Sequence, residues 1–393
     1  MSREQLLQMA RNNIAHGDAG TIPQAKEILK VPACNYYDEG RWKLEMKNIF
    51  NRMPLMLAMS AEIRNPGDYK AMEASGIPII IVRDKNGQVR AFVNMCSHRG
   101  AQLMEEGSGN THRFTCPYHA WSYNTEGDLI GVLAPKDFGE FDKSENELEE
   151  LPCLEKAGLV WVTPNPRSTL DINLFLSGYD QLLENFGFED WYLFGSQRVD
   201  GPNWKIAYDG YMDLYHLPIL HKNTFGPDFP NQAIYYSWGP HQRVSGPMKG
   251  MAKMLGPDES KWPTELLVAG VWTIFPHVSI AGFDGGGRAV MISQLFPGET
   301  PGTSYTVQNY LMEKEPSSEK LIRDAQNQFE FLRYVVQEED YATGLKQQKA
   351  LESGAKKYVM FGKNEEGGHN FHRWVDHIIE TKDEDLSKLF MTG

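Results

Sequence analysis

Residues 96–121 read CSHRGAQLMEEGSGNTHRFTCPYHAW. Cys96 and His98 form one pair, and Cys116 and His119 form a second pair seventeen residues after the first. Four side chains of metal-binding type, in matched pairs at the tips of predicted hairpins, point to one shared centre. Zinc fingers group Cys with Cys and His with His. Here each pair is mixed. An iron–sulfur centre in which one iron takes both thiolates and the other both imidazoles explains the mixing. Two ferric ions, two sulfides and two thiolates sum to zero charge when the imidazoles are neutral. Four thiolates would leave the cluster doubly negative, so the mixed set accepts an electron more readily.

The stretch lies in β-like texture that runs from about residue 41 to 165. IPIIIVRD and VRAFVNM flank Asn86-Gly87, a strong hairpin signal. Residues 1–40 begin with a helical pattern through Leu6, Leu7, Met9, Ala10 and Ile14, and are expected to pack on the larger domain. Residues 166–393 mix helices with strands. NWKIAYDGYMDLYH reads as a helix beginning near Pro202-Asn203. Residues 223–265 read as a long irregular segment. AGVWTIFPHVSIAGF, GGGRAVMISQLFPG and SYTVQNYLMEKE read as three successive strands, the triple glycine being a hairpin rather than a phosphate loop. A long helix is expected from about 317 to 352, and HNFHRWVDHIIE reads as a last helix. The fold class is α+β.

Within this second half, His216 and His221 are five residues apart, about 140° on an ideal helix. Pro218 cannot donate to the carbonyl of Leu214, so a bend there would swing the two rings together. Asp213 precedes His216 by three and shares its face. Two His and one carboxylate leave positions open on a metal, the facial triad of non-haem ferrous oxygenases. For the carboxylate, Phe329, Leu332, Val336 and Asp340 form one stripe of the long helix. Glu338 falls opposite, and Glu339 is not excluded by periodicity.

CSHRG with CPYHAW, strengthened by WSYNTEGDL, resembles the Rieske [2Fe–2S] motif. The second half resembles the catalytic stretch of Rieske non-haem iron oxygenases, the ring-hydroxylating α subunits. Asn203-Trp204-Lys205, Asp213, Tyr215-His216 and His221 match that pattern, and an acid followed by Gln seven residues on selects Asp340 with Gln347. Two positions depart from it: Ala120 stands where Gly is usual, where an added methyl is expected to shift packing beside His119, and Asp209-Gly210 replaces Glu-Asn. The resemblance implies a β-sandwich-like Rieske domain beside a helix-grip-like antiparallel sheet packed on helices. It implies one [2Fe–2S] cluster on Cys96, His98, Cys116 and His119, and one mononuclear Fe(II) on His216, His221 and Asp340. Asp213 would relay electrons between subunits by bonding His216 and a cluster histidine of the neighbour.

The implied activity is that of a terminal oxygenase. O2 and electrons from NAD(P)H, delivered by a reductase with or without a ferredoxin, would hydroxylate, dihydroxylate or dealkylate a ring-containing organic substrate. Aromatic catabolism is the natural setting. The alternatives are a Rieske electron-transfer or binding protein with a non-catalytic second domain, and a zinc-stapled structural protein. The expected assembly is a homotrimer closed head to tail, or an α3β3 complex with a small β subunit. Pocket candidates around the triad are Tyr208, Asp209, Met212, Ile219, Leu220, Val271, Phe275 and His277, the last three read as one face of a single strand with Thr273.

Bulk composition agrees. A net charge of −13 argues against nucleic acid as a partner. Four cysteines in 393 residues are no disulfide framework and fit a reducing compartment. With no apolar leader and no apolar run of membrane-spanning length, the expectation is a soluble cytoplasmic protein.

Overall fold

Gly285-Gly286-Gly287 turns one strand directly into the next, and this hairpin sits at the centre of a seven-stranded antiparallel sheet. The computed structural model describes residues 2–228 and 231–391. The sheet strands are β1 (Tyr192–Gly201), β2 (Ile234–Trp238), β3 (His241–Ser245), β4 (Val271–Ile274), β5 (Val278–Asp284), β6 (Arg288–Pro297) and β7 (Ser304–Met312). They lie in the order β1-β7-β6-β5-β4-β3-β2. Strands β2 and β3 come from the segment expected to be irregular. They pair about Gly239-Pro240, from Ile234↔Ser245 to Trp238↔His241. The expected single strand through residues 269–283 is instead β4 and β5, folded back on each other at Phe275-Pro276-His277. Proline has no N–H to continue a ladder, so the alternation read through it does not hold.

Five helices, named α1 to α5 in chain order, matter for the site. They are α1 (Glu39–Glu45), α2 (Trp204–Met212), α3 (Glu319–Tyr334), α4 (Ala342–Glu352) and α5 (Glu366–Glu380). Ala325, Phe329 and Leu332 of α3 pack on Ala289, Met291, Tyr310 and Met312 of the sheet. Each large side chain so buried contributes about 1.5–3 kcal/mol. One register row on this face is polar on every strand. Gln197, Gln308, Ser293, Ser279, Thr273, Gln242 and Ser237 are successive cross-strand partners. The row ties the helices down. Gln197 donates to the Phe329 carbonyl at 2.9 Å, and Gln242 donates to the Gly367 carbonyl of α5 at 3.0 Å. Gly201, at the end of β1, lets the chain beyond α3 come close: a Cβ there would meet the Tyr341 ring at 2.8 Å.

The chain divides into two compact units, residues 50–172 with 188–190, and the remainder. The segment 41–49, expected with the Rieske domain, belongs to the larger unit. The reason is Glu45, whose carboxylate is buried and accepts from Trp204 Nε1 and Lys205 Nζ of α2.

The smaller unit is β-rich. Its five-stranded antiparallel sheet runs 150–151, 89–93, 77–83, 68–74, 107–110, and the Asn86-Gly87 turn joins two of these strands. Two three-stranded sheets complete it, one of them the hairpin pair 113–115, 122–124, 129–131. Its core is Ile80, Val82, Phe92, Phe114, Trp121 and Tyr123, and it includes Cys96 and Cys116.

Candidate metal centres

Both Cys–His pairs sit on turns of the same build. The Gly100 N–H bonds the Cys96 carbonyl at 2.9 Å, and the Ala120 N–H bonds the Cys116 carbonyl at 3.0 Å. Each fifth residue of the turn is left-handed: Gly100 at φ +75° and Ala120 at φ +57°. The expectation that Ala120 shifts packing beside His119 therefore changes in kind. The position favours glycine because of its backbone, not because of crowding.

The turns bring the four side chains together. The His98 and His119 rings lie 4.7 Å apart, and His98 stacks on Trp121 at 4.9 Å. Cys96 and Cys116 are buried and close enough to interact, and burial raises the Cys96 thiol above its ordinary range. Desolvation, then the neighbouring His98 and Arg99, lowers the pKa of His119 and keeps its imidazole neutral. His98 Nδ1 is buried without a hydrogen-bond partner. A buried orphan nitrogen beside two buried thiols fits a group that ligates all of them. Tyr123, which the sequence reading did not single out, supports the first turn. Its hydroxyl lies 3.4 Å from Cys96 Sγ and accepts the Ser97 N–H at 3.0 Å.

The second centre begins with Asn203. Its side chain accepts the Lys205 N–H at 2.9 Å and caps α2. The helix was expected to reach His216, but it stops at Met212. Asp213 is extended, and its carboxylate accepts the Tyr215 N–H two residues on. That local bond competes with the helical one and starts a turn. His216 and His221 then bracket a new short helix, Leu217–Leu220, with Pro218 in its first turn. The two rings meet through this break and restart, not through a bend in one continuous helix.

The third donor comes from the segment between α3 and α4. Residues Val335–Tyr341 are π-helical, and the Ala342 N–H bonds the Gln337 carbonyl five residues back. His216 Nε2 lies 3.2 Å from His221 Nε2. Asp340 Oδ1 lies 3.5 Å from the first nitrogen and 3.1 Å from the second. Adjacent donors on an ion held at about 2.1 Å stand about 3 Å apart, so the three atoms fit one small divalent ion. Each imidazole is braced from behind: Asp213 Oδ2 is 3.0 Å from His216 Nδ1, and Glu339 Oε2 is 2.7 Å from His221 Nδ1. With the proton held at Nδ1, both Nε2 lone pairs point inward.

The surroundings favour positive charge. Burial opposes a charged His216, yet Asp213 and Asp340 outweigh it and raise its pKa to about 9. His221 shifts upward as well, against burial, through Asp340 and Glu339. Burial works to raise the pKa of Asp340, but the two histidines hold it below the usual carboxylate range. Side-chain exposures of 21% at His216 and 26% at Asp340 leave one side of the triad reachable.

The pocket candidates have different immediate contacts. Tyr208 and Phe275 share an aromatic cluster on Phe371, at 4.8 and 6.1 Å. Met212 is buried, with its sulfur 3.3 Å from Gln242 Nε2. Asp209 bonds His372 Nε2 and the Tyr36 hydroxyl, each at 3.0 Å. Ile219 is 75% exposed, while Leu220 and Val271 are half-buried. Val271 is on β4, whereas Phe275 and His277 lie in the turn after it, so the three do not share a strand face. His277 is fully buried, and desolvation pushes its pKa down to about 3.

This fold and these donor sets define a class: an electron-transfer domain joined to a domain built for a single metal ion. Comparison with known proteins agrees. Residues 53–152 match the Rieske [2Fe-2S] domain, and residues 188–381 match the catalytic domain of the ring hydroxylating alpha subunit. The chain belongs to the Rieske non-haem iron oxygenases, as an α-subunit-type member. It is 33% identical over 189 residues to the anthranilate 1,2-dioxygenase large subunit of Acinetobacter baylyi, covering 46% of this chain and 40% of that protein. It is 31% identical over 198 residues to the carnitine monooxygenase oxygenase subunit of Escherichia coli K12, covering 50% and 53%. The chain thus spans about half the length of the curated relatives it matches. The fold is similar to naphthalene 1,2-dioxygenase from Rhodococcus sp. bound to indole, with a TM-score of 0.76, 21% identity, and coverage of 97% of this chain and all of that one. A quaternary ammonium Rieske monooxygenase in complex with an inhibitor also gives a TM-score of 0.76, at 22% identity over 90% of this chain and 96% of the other.

Proposed function

We propose that the chain is the oxygenase component of a Rieske oxygenase system, acting on a ring-containing organic substrate with O2 and electrons from NAD(P)H. A reductase, with or without a ferredoxin, would deliver the electrons. The observation that carries this reading is the convergence of His216, His221 and Asp340 on one point, open on one side. An electron-transfer protein with an idle second domain has no use for an intact triad.

In this reading Cys96, His98, Cys116 and His119 hold the cluster, and His216, His221 and Asp340 hold ferrous iron. When bound, these groups supply one-electron transfer and O2 activation. The chain's own part is placement. Asp213 fixes the Nδ1 proton of His216 and keeps its second oxygen on the Tyr215 N–H. It would also serve as the relay to a cluster histidine of a neighbouring copy in a closed head-to-tail trimer. An assembly with a small β subunit is the other arrangement, and native mass spectrometry separates the two. Among the described residues no helix is long and apolar enough to cross a membrane. Four free cysteines favour the cytoplasm as the setting.

The test is turnover with a surrogate reductase over aromatic, steroid and N-alkyl panels, following NADH use and hydroxylated product. Asp213→Asn is expected to keep both metals and stop product formation. Full activity in that variant overturns the relay role. A parent protein that carries zinc and no iron overturns the whole assignment.

A further inference from the structure

The acidic pair Glu339-Asp340 faces one imidazole from two sides. Asp340 Oδ1 lies 3.1 Å from His221 Nε2, and Glu339 Oε2 lies 2.7 Å from His221 Nδ1. On a regular α-helix consecutive side chains diverge by about 100°, so two neighbours do not both reach one ring. The π-helical segment Val335–Tyr341 changes the phase where it matters and presents both carboxylates inward. Glu339 is itself held. The Thr224 hydroxyl donates to the same Oε2 at 2.8 Å, and the Phe225 ring packs on His221 at 5.4 Å. Glu338, one residue earlier, is exposed and accepts from the side chain of Gln337.

We propose that Glu339 is a positioning residue for the metal centre. Its carboxylate fixes the Nδ1–H tautomer and the ring plane of His221, as Asp213 does for His216, and Thr224 fixes Glu339. This rests on the mononuclear-iron reading above. The two histidines of the triad then have separate anionic braces. Only Asp213 is assigned the relay, so losing Glu339 weakens metal holding without touching the electron path.

The test uses the full chain with its cluster assembled, titrated anaerobically with Fe(II) against a chelator. The ferrous–nitrosyl EPR signal reports on the ligand field. Glu339→Ala is expected to bind Fe(II) about 10–100-fold more weakly, the usual effect of removing such a partner. Its nitrosyl signal is expected to broaden. Glu339→Gln, which keeps an acceptor for the Nδ1 proton, is expected to recover part of the affinity. Glu338→Ala is expected to match the parent. The calorimetric transition of the larger unit, which contains Glu339, shows in each sample that the variant has folded. If the parent binds Fe(II) and Glu339→Ala binds it within about twofold with an unchanged nitrosyl signal, the proposal is wrong. If the parent itself binds no Fe(II), it is the mononuclear-iron reading that fails.

Discussion

Replacing Lys205 by Met removes the cation from an ion pair whose side chains are both fully buried. Glu45 would be left with the Trp204 indole N–H at 2.8 Å and Arg41 Nε at 2.8 Å. Burial lowers the pKa of Lys205, and the contacts with Glu45 only partly offset it. The intact pair therefore adds little net stability, but breaking it strands a buried carboxylate. Breaking one partner of such a pair costs about 3–5 kcal/mol. Arg41 remains beside Glu45 and keeps 19% exposure, so the low end applies, about 3 kcal/mol. At about 2–4 °C per kcal/mol for a unit of this size, the melting temperature of the larger unit should fall by about 6–12 °C. Calorimetry measures the loss, with cluster absorbance following the smaller unit separately. The double variant Glu45→Gln with Lys205→Met should recover at least about 1 kcal/mol relative to the sum of the single losses, because no charge is then stranded. A shift under about 2 °C for Lys205→Met, or strict additivity in the double variant, would refute this account of the Asn203-Trp204-Lys205 motif.

Three further outcomes are expected. Tyr123→Phe removes a hydroxyl 3.4 Å from Cys96 Sγ. Losing a hydrogen bond of about 0.5–1.5 kcal/mol that favours the reduced cluster should lower its potential by about 20–65 mV, read by redox titration. An unchanged or raised potential contradicts that role. Ala120→Gly relieves a left-handed backbone at φ +57° and should stabilise the smaller unit by about 0.5–1 kcal/mol, visible as a higher bleaching temperature of the cluster. Burial holds His241 neutral, with its pKa pushed down to about 4, while the unfolded chain takes up that proton near pH 6.5. The unfolded state thus binds more protons across this window. Stability should fall by roughly 2 kcal/mol between pH 7.5 and pH 5 through this residue, and His241→Gln should flatten that slope in denaturation curves. An identical slope in the variant counts against the assignment.

What the sequence made legible was what local chemistry decides. The cluster donors could be read because each Cys–His pair lies within one turn, so residue type and spacing alone imply a shared ligand. The fifth position of the second turn was legible too, as the departure Ala120, though its meaning needed the backbone angle. The second centre was legible in residue type but not in path. A side chain decides where α2 ends: the Asp213 carboxylate takes a backbone N–H and stops a pattern that periodicity would carry to His216. The partners of Asp209 were not legible for a related reason. Tyr36 and His372 lie 173 and 163 residues away, beyond the reach of any local rule. The choice between Glu339 and Asp340 stayed open because counting by 3.6 assumes one helix type throughout. A π turn breaks that assumption over Val335–Tyr341, and there the question itself dissolves, since both acids face the same histidine. Departures from regular structure of this kind gather where a site needs side chains that regular geometry would keep apart. The irregular stretch of the long helix is thus the physical means by which one segment supplies both a candidate ligand and the brace for its neighbour.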